Sequence, residues 1–286
     1  MDENVRSSFA SVDQTAAPWM LVDLLERTAI LPEVVAAKGA SFAALGTELV
    51  GVVADVGCGL GRDLEEMARV TSAIAVGVDA SQHMLDEARR FTTGGRFVCA
   101  HAHRLPFRTG ALAGARCERL LIHDQQPQAS VTEMARCVAA GARVVLVEPD
   151  FQATRTTLSG AIEVTALLTD WLRRRFAQPQ CGRLLPRWLS SAGLRLDYTR
   201  TFAQPCDERL TEEILGLREC ALWASNVGDG DEGWRREQAR RLLAMTSDRG
   251  PRSILPIVVV AASKPPSADE PRIPPSEAAC VVETPS

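Results

Sequence analysis

The sequence predicts a doubly wound α/β domain: a mostly parallel, seven-stranded sheet with helices on both faces and a helical lid inserted after the fifth strand. Three observations lead there. From about residue 51, short and nearly continuous apolar runs alternate with helical stretches, the rhythm of a parallel sheet buried on both faces. A glycine-rich turn follows the first apolar run and opens a helix. The rhythm then breaks over residues 150–193, after the fifth run, at the carboxyl end of the sheet where such folds bind ligands.

Each element has its own reason. Residues 18–38 read as helical, with Trp19, Leu21, Leu24, Leu25 and Ile30 at mixed three- and four-residue spacing. Residues 1–44 are accordingly assigned to an N-terminal helical segment that forms part of a lid. Val52–Val56 is a short buried strand, residues 61–71 are helical and Ile74–Asp79 is the second strand. Ser81 caps a helix that runs through Arg90, because its hydroxyl accepts from free backbone N–H groups of the first turn. Arg96–Ala100 and Gly114–Leu121 are the third and fourth strands, Pro127–Ala140 is a helix ended by Gly141, and Arg143–Glu148 is the fifth strand. Within the insertion, Val164, Leu167, Leu168 and Trp171 mark one helical face, and Leu185, Trp188 and Leu189 another. Leu194–Phe202 alternates as a sixth strand, and residues 209–222 and 231–246 are helical. Ile254–Ala262 is the last strand, expected to be bulged or at an edge because Pro256 cannot donate to a ladder. The domain is expected to span 45–263, and the proline-rich residues 264–286 are expected to be disordered.

Bulk properties narrow the function. The 286 residues carry a net charge of −4 and are 46% hydrophobic, ordinary for a globular chain and without the basic excess of a nucleic-acid binder. No apolar run approaches the length of a membrane span, and the polar first 17 residues lack the apolar stretch of a secretory signal. A cytoplasmic protein is expected, with no nucleic-acid or membrane partner. The eight cysteines include no C-x-x-C pair, so neither zinc nor dithiol chemistry is read from them, and no metal site is expected.

The glycine turn is Val53-Ala54-Asp55-Val56-Gly57-Cys58-Gly59-Leu60-Gly61-Arg62. A phosphate-binding loop would continue Gly-Lys-Ser/Thr, but Gly61 is followed by Arg62 and Asp63. A dinucleotide fingerprint would place glycine where Arg62 stands. The pattern present is D-x-G-x-G-x-G. An acid at the end of the first strand suits a ligand bearing an ammonium group and repels a pyrophosphate. Asp79, which ends the second strand, suits the two hydroxyls of a ribose.

These residues resemble the class I S-adenosylmethionine (SAM)-dependent methyltransferases, in particular the group that includes the ubiquinone and menaquinone methyltransferases. The resemblance runs through Asp55–Gly61, Val76–Arg89, Arg104–Phe107, Arg116–Arg119, Gly141–Pro149 and Gly182–Leu194, and covers roughly residues 45–262. It implies a Rossmann-like domain with SAM as cofactor and a small-molecule acceptor as partner. Gly57, Gly59 and Gly61 would form the loop against the methionine part. Asp55 would orient that loop or contact the amino group, and Asp79 would bind the ribose. Ala80 and Met84 would border the adenine, and Cys117 would contact the methionine part through its backbone. The group carries an acid followed by a small residue at the end of the third strand, where this chain has His101 and Ala102; neutral imidazole still offers one acceptor nitrogen.

His123 is the candidate base, with Asp124 beside it and Glu148 and Asp150 nearby. Gln125 and Gln126 are candidates to hydrogen-bond a ligand. Arg173–Arg175 read either as a solvated helix face or as a contact for an anionic partner. Trp171 and Trp188 read as lid core or substrate platform. The expected activity is methyl transfer to a small, apolar metabolite of natural-product type. The alternative on the same fold is a SAM-binding enzyme that transfers no methyl, such as a cyclase or related rearrangement catalyst.

Overall fold

The computed structural model describes residues 13, 18–92, 94–158, 162–226, 232–246 and 250–266. Two helices open them, α1 (Pro18–Ala29) and α2 (Pro32–Leu45), over the stretch 18–38 expected to be helical and beyond it. Pro32 accounts for the break. It begins α2 with Leu31 extended before it at φ −65° and ψ 137°, because proline disfavours helical backbone in the preceding residue and tolerates the first helical position.

The alternation then proceeds as β1 (Val52–Val56), α3 (Leu64–Thr71), β2 (Ile74–Asp79), α4 (Gln82–Phe91), β3 (Arg96–Cys99), β4 (Leu112–Glu118), α5 (Pro127–Cys137) and β5 (Val138–Pro149). After β5 come the two-residue β6 (Arg155–Thr156), α6 (Ile162–Arg175), α7 (Cys181–Ser191), β7 (Arg195–Cys206), α8 (Glu208–Leu215), α9 (Leu217–Asn226), α10 (Glu232–Thr246) and β8 (Ser253–Ser263). β6 makes the eighth strand among the described residues; it lies inside the expected insertion and pairs with Ser253 and Ile254. The helix before β5 ends at Cys137 rather than running to Ala140. β4 ends at Glu118 rather than Leu121, because Arg119 turns into left-handed backbone at φ 54°. The expected disordered tail lies outside the described residues from 267 onward.

The sheet runs β3-β2-β1-β4-β5-β8, and β7 pairs along β8. β1 through β5 are parallel, and β8 is antiparallel to both β5 and β7. β8 is therefore an interior strand, contrary to the edge expected from Pro256. Its ladder with β5 stops at Ile257, so Pro256 lies where only β7 remains alongside and its missing N–H leaves no ladder bond to β5 unmade. The strand order reverses between β1 and β4. The crevice at their carboxyl ends is where ligands of such sheets bind.

One sheet face buries Val53, Val145, Val147 and Val259 against Phe42 and Leu45 of α2 and Met67 of α3. The other buries Ala54, Val56, Leu146 and Val260 beneath α5 and α7, and this core continues without a break into the lid through Trp171, Leu215, Leu217 and Leu242. The lid therefore draws on two insertions, α6 before β7 and α8–α10 after it, and packs as one body with the sheet. The indole N–H of Trp171 donates to the carbonyl of Leu215 at 2.8 Å and ties the two together. α7, expected within the lid, instead packs against α5, β5 and β8 as a helix of the sheet. No helix among the described residues is long and apolar enough to cross a membrane.

Candidate functional site

The glycine turn leaves β1 at the strand-order reversal. The N–H groups of Gly57 and Cys58 donate to the carbonyl of Val78 at 2.7 and 3.0 Å, which fastens the loop to the end of β2. Gly57 and Gly59 both adopt left-handed backbone, at φ +76° and +49°, a region costly for residues with a Cβ. The two differ in surroundings. A Cβ on Gly57 would lie 2.9 Å from Leu120, whereas one on Gly59 would meet nothing within 4 Å. Gly57 thus closes the loop against the chain leaving β4, and Gly59 leaves an open cradle.

Asp79 meets that cradle. One carboxylate oxygen accepts from the N–H of Gly59 at 2.9 Å and the other from the N–H of Ser81 at 2.9 Å. Burial raises the Asp79 carboxyl above its usual value, and the backbone donors oppose the rise. An ionised carboxylate has about four acceptor positions, so two donors leave capacity for the hydroxyls of a ribose. The open cradle beside a carboxylate with spare acceptor capacity fits the adenosine and methionine parts of SAM. Met84 is buried in the first turn of α4, Ala80 is exposed above it, and Ser81 caps the helix by accepting from the N–H of Met84 at 3.1 Å. Asp13 crosses from the N-terminal segment and accepts from the Ser81 hydroxyl and from the backbone of Gln82 and His83 at 3.1 and 3.3 Å. His101 is exposed beyond β3 and stacks on His103 with ring centroids 5.2 Å apart; Ala102 beside it is half-buried.

Asp55 sits differently from a direct contact with an ammonium group. Its carboxylate accepts from Arg116 at 3.2 Å, on the sheet face covered by α2. Arg116 is wholly buried, and it also donates to Asp63 at 3.1 Å, to the Ser41 hydroxyl at 2.8 Å and to Glu118. Lys38 of α2 reaches Asp63 at 2.7 Å, and the Arg116 guanidinium lies 4.7 Å from the ring centre of Phe42. Burial raises the Asp55 carboxyl and outweighs the pull of Arg116. Burial would raise Glu118 as well, but Arg116, Arg119 and Lys38 prevail and hold it below the usual range. The cluster joins the end of β1, the entry to α3 and the end of β4, three segments that frame the glycine turn. Sequence reasoning passed over Arg116. Its signal was a cation inside a buried strand, which requires partners.

Cys117 is wholly buried at the end of β4, with its thiol pushed well up by burial. The next residues turn back beside the glycine loop. Leu120 abuts Gly57, and the N–H of His123 donates to the carbonyl of Leu120 at 2.9 Å. The imidazole lies 5.9 Å from the ring of Phe176, which stacks on Phe151 at 4.5 Å. Burial first, then the charges of Arg119 and Arg175, hold the His123 imidazole down at about 3. It is neutral at physiological pH and a weak base.

The acids named beside His123 are occupied elsewhere. Asp124 accepts from the N–H of Gln126 at 2.8 Å and from the hydroxyl of Ser130, and so caps the start of α5. Asp150 takes Arg183 with both oxygens, at 2.7 and 2.9 Å. Glu148 lies wholly buried beneath the loop, where one oxygen accepts from the N–H groups of Leu120 and Leu121 at 2.9 and 2.7 Å. Its other oxygen has no partner among the described residues. Burial pushes its carboxyl up to about 8 despite those donors. Gln125 and Gln126 are exposed, Trp171 and Trp188 are buried, and Arg173 and Arg174 are exposed on α6, with Arg174 over the Trp223 ring at 4.9 Å. Among the described residues no group of three or more His, Cys, Asp or Glu side chains could hold a metal ion.

Comparison with known proteins follows this geometry. Residues 53–141 match a family model described as a methyltransferase domain. The chain is 29% identical over 184 residues to an uncharacterised 37.1 kDa protein in transposon Tn4556 of Streptomyces fradiae, covering 61% of this chain and 52% of that one. It is 28% identical over 102 residues to an O-methyltransferase of Aspergillus nomiae, covering 34% and 45%. The chain therefore spans about half the length of the curated relatives it matches. A solved structure of a methyltransferase from Bacillus halodurans superposes with a TM-score of 0.58 at 17% identity, covering 80% of this chain and 99% of that one. That likeness is one of fold.

Proposed function

We propose that the chain, whose residues 53–141 match a methyltransferase-domain model, is a class I methyltransferase that transfers a methyl group from SAM to a small, apolar metabolite beneath the lid. The observation that carries this reading is the open cradle at Gly59, bonded through its N–H to the carboxylate of Asp79.

SAM supplies an activated methyl group, so the residues of the chain align reactants and exclude water. Alignment of this kind is worth roughly 7–11 kcal/mol. Asp79 accepts the ribose hydroxyls and fixes the cofactor along the loop. The Arg116 cluster holds the loop, the entry to α3 and the end of β4 in one frame. Leu120 closes the path from the Gly57 side, and the Phe176–Phe151 stack with the lid core behind it keeps water from the acceptor. His123 contributes a neutral acceptor nitrogen. A general base works best with a pKa near the working pH, and a group held at about 3 is far from that. The arrangement suits acceptors that arrive already nucleophilic.

The test is calorimetric titration of the purified chain with SAM and S-adenosylhomocysteine (SAH), repeated with Asp79→Ala. Micromolar binding, weakened about tenfold or more (~1.4 kcal/mol) by the substitution, is the expected result. Folded protein that binds neither ligand would refute the reading. Conversion of an acceptor without release of SAH would replace methyl transfer by rearrangement on the same cofactor.

A further inference from the structure

We propose that Glu148 is a positioning residue of the cofactor site: it holds the turn after β4 so that Leu120 backs Gly57 and keeps the glycine loop in the shape that takes SAM. The proposal rests on the methyltransferase reading above. The route is a short chain of contacts. One Glu148 oxygen accepts from the N–H groups of Leu120 and Leu121, at 2.9 and 2.7 Å, and the backbone of Ile122 supplies a further donor. Leu121 and Ile122 are buried, so without this acceptor their donors would be stranded away from water. The carbonyl side of the turn is tied as well, by the N–H groups of His123 and Asp124 to Leu120 and Leu121 at 2.9 and 3.2 Å, and by that of Gln178 to Ile122 at 3.0 Å. Leu120 then stands against the loop. Its Cβ, Cδ2 and Cδ1 would lie 2.9, 3.0 and 3.1 Å from a Cβ on Gly57. Gly57 is itself pinned, in left-handed backbone at φ +76° with its N–H on the carbonyl of Val78 at 2.7 Å. A small shift of the turn therefore acts directly on the loop backbone.

The anchoring draws on one oxygen, which a glutamine would also provide. What the acid adds is a proton. The second oxygen of Glu148 is buried and has no partner among the described residues. Cys117 and Glu118 of β4 and Cys181 of α7 face the group. Both thiols are pushed well up by burial, and Glu118, held below the usual range, raises Glu148 further. Asp124 and Asp150 add negative charge around Cys181, and Arg119 and His123 flank the anchored turn. Burial pushes the Glu148 carboxyl up to about 8. Loss of its proton leaves a charge whose bare oxygen needs water, and the turn that covers it yields to admit that water. Leu120, and with it the loop, thus follows the Glu148 proton.

The full chain is titrated calorimetrically with SAH at pH 7, 8 and 9, wild type beside Glu148→Gln, Leu120→Ala and the double variant, each confirmed folded by circular dichroism. SAH lacks the sulfonium charge, so the ionisation of Glu148 reaches it through the turn rather than by attraction. The amino group of SAH titrates in the same range, and the ratio of wild type to Glu148→Gln cancels that effect. A carboxyl that titrates at about 8 is roughly nine-tenths protonated at pH 7 and roughly one-tenth at pH 9, so binding that needs the protonated form falls by at most about ninefold. Glu148→Gln should bind SAH like wild type at pH 7, because its amide oxygen accepts the same N–H groups. From pH 7 to pH 9 wild type should weaken by about three- to ninefold relative to it. Leu120→Ala should weaken SAH severalfold at pH 7, and comparison with the double variant should show most of the relative fall gone, because the contact that transmits it is missing. A ratio of wild type to Glu148→Gln that stays constant from pH 7 to pH 9, or a relative fall that survives Leu120→Ala, overturns the proposal. The wild-type titration reads the premise separately. Absence of SAH binding at every pH sinks both, whereas intact binding with a constant ratio sinks this inference alone.

Discussion

Replacing Arg116 with methionine removes one buried cation and strands the groups it serves. Asp55 and Glu118, with side chains 5% and 7% exposed, lose their closest positive partner, and Asp63 and the Ser41 hydroxyl lose a donor. Methionine fills much of the arginine stem beneath Phe42, so the loss is electrostatic rather than a cavity. Breaking a buried pair by deleting one member costs about 3–5 kcal/mol, a large share of the ~5–15 kcal/mol that holds a domain together. At about 2–4 °C per kcal/mol for domains of this size, the melting temperature should fall by roughly 6–20 °C at pH 7. Exposed Arg69, paired with Glu66 one helical turn away, is the control; its methionine variant should leave the melting temperature nearly unchanged, because solvent screens an exposed pair. The pH dependence gives a second reading. Glu118 is held below its ordinary value in the folded protein, so its contribution is present above the unfolded value near 4.5 and is lost as pH falls through the folded one. The gap between wild type and Arg116→Met should therefore narrow from pH 7 toward pH 3, as followed by circular dichroism melts. A variant within 1 kcal/mol of wild type at pH 7, or a gap that widens on acidification, would refute the account of this cluster.

Three further outcomes follow from the site. Glu148 is pushed up to about 8 by burial, so its contribution is full below the unfolded value near 4.5 and declines as pH rises through about 8; the stability of wild type relative to Glu148→Gln should fall between pH 5 and pH 9 in denaturant titrations. Gly59→Ala meets open space and Gly61→Ala would lie 2.7 Å from Phe97, so the first should weaken SAM binding with about 1–2 kcal/mol of backbone cost and the second should lower the melting temperature more. Because His123 is held at about 3, the rate of methyl transfer should show no inflection from it between pH 5 and pH 8; an inflection near 6.5 that disappears in His123→Gln would contradict the structure.

The glycine turn and Asp79 were legible because their chemistry is local. Left-handed backbone calls for glycine, and the acid that meets the turn ends the very next strand. The α2 contribution was not legible, since Ser41 and Arg116 meet across 75 residues of chain and no spacing rule reaches that far. Trp171 and Trp188 were ambiguous from periodicity alone; the structure buries both. The lid was half legible: its apolar faces showed, but not that α8–α10 from a later insertion complete it. His123 was singled out by position, and its weak basicity comes from burial and from two nearby arginines, Arg119 in the same loop and Arg175 brought in from α6 across a long stretch of sequence. Pro256 misled because its ladder position, not its presence, decides where a strand ends.

The interior place of β8 bears on how the chain reaches this structure. Residues 253–263 are the last to be made among the described strands, yet β5 and β7 both pair with them and not with each other. Until they arrive, β5 and β7 each present an open edge, the kind of surface that recruits other chains. Domains assembled from such distant pairings fold slowly and pass through aggregation-prone states. Synthesis from the N-terminus therefore cannot close this sheet strand by strand, and chains truncated before residue 253 are expected to accumulate as insoluble material.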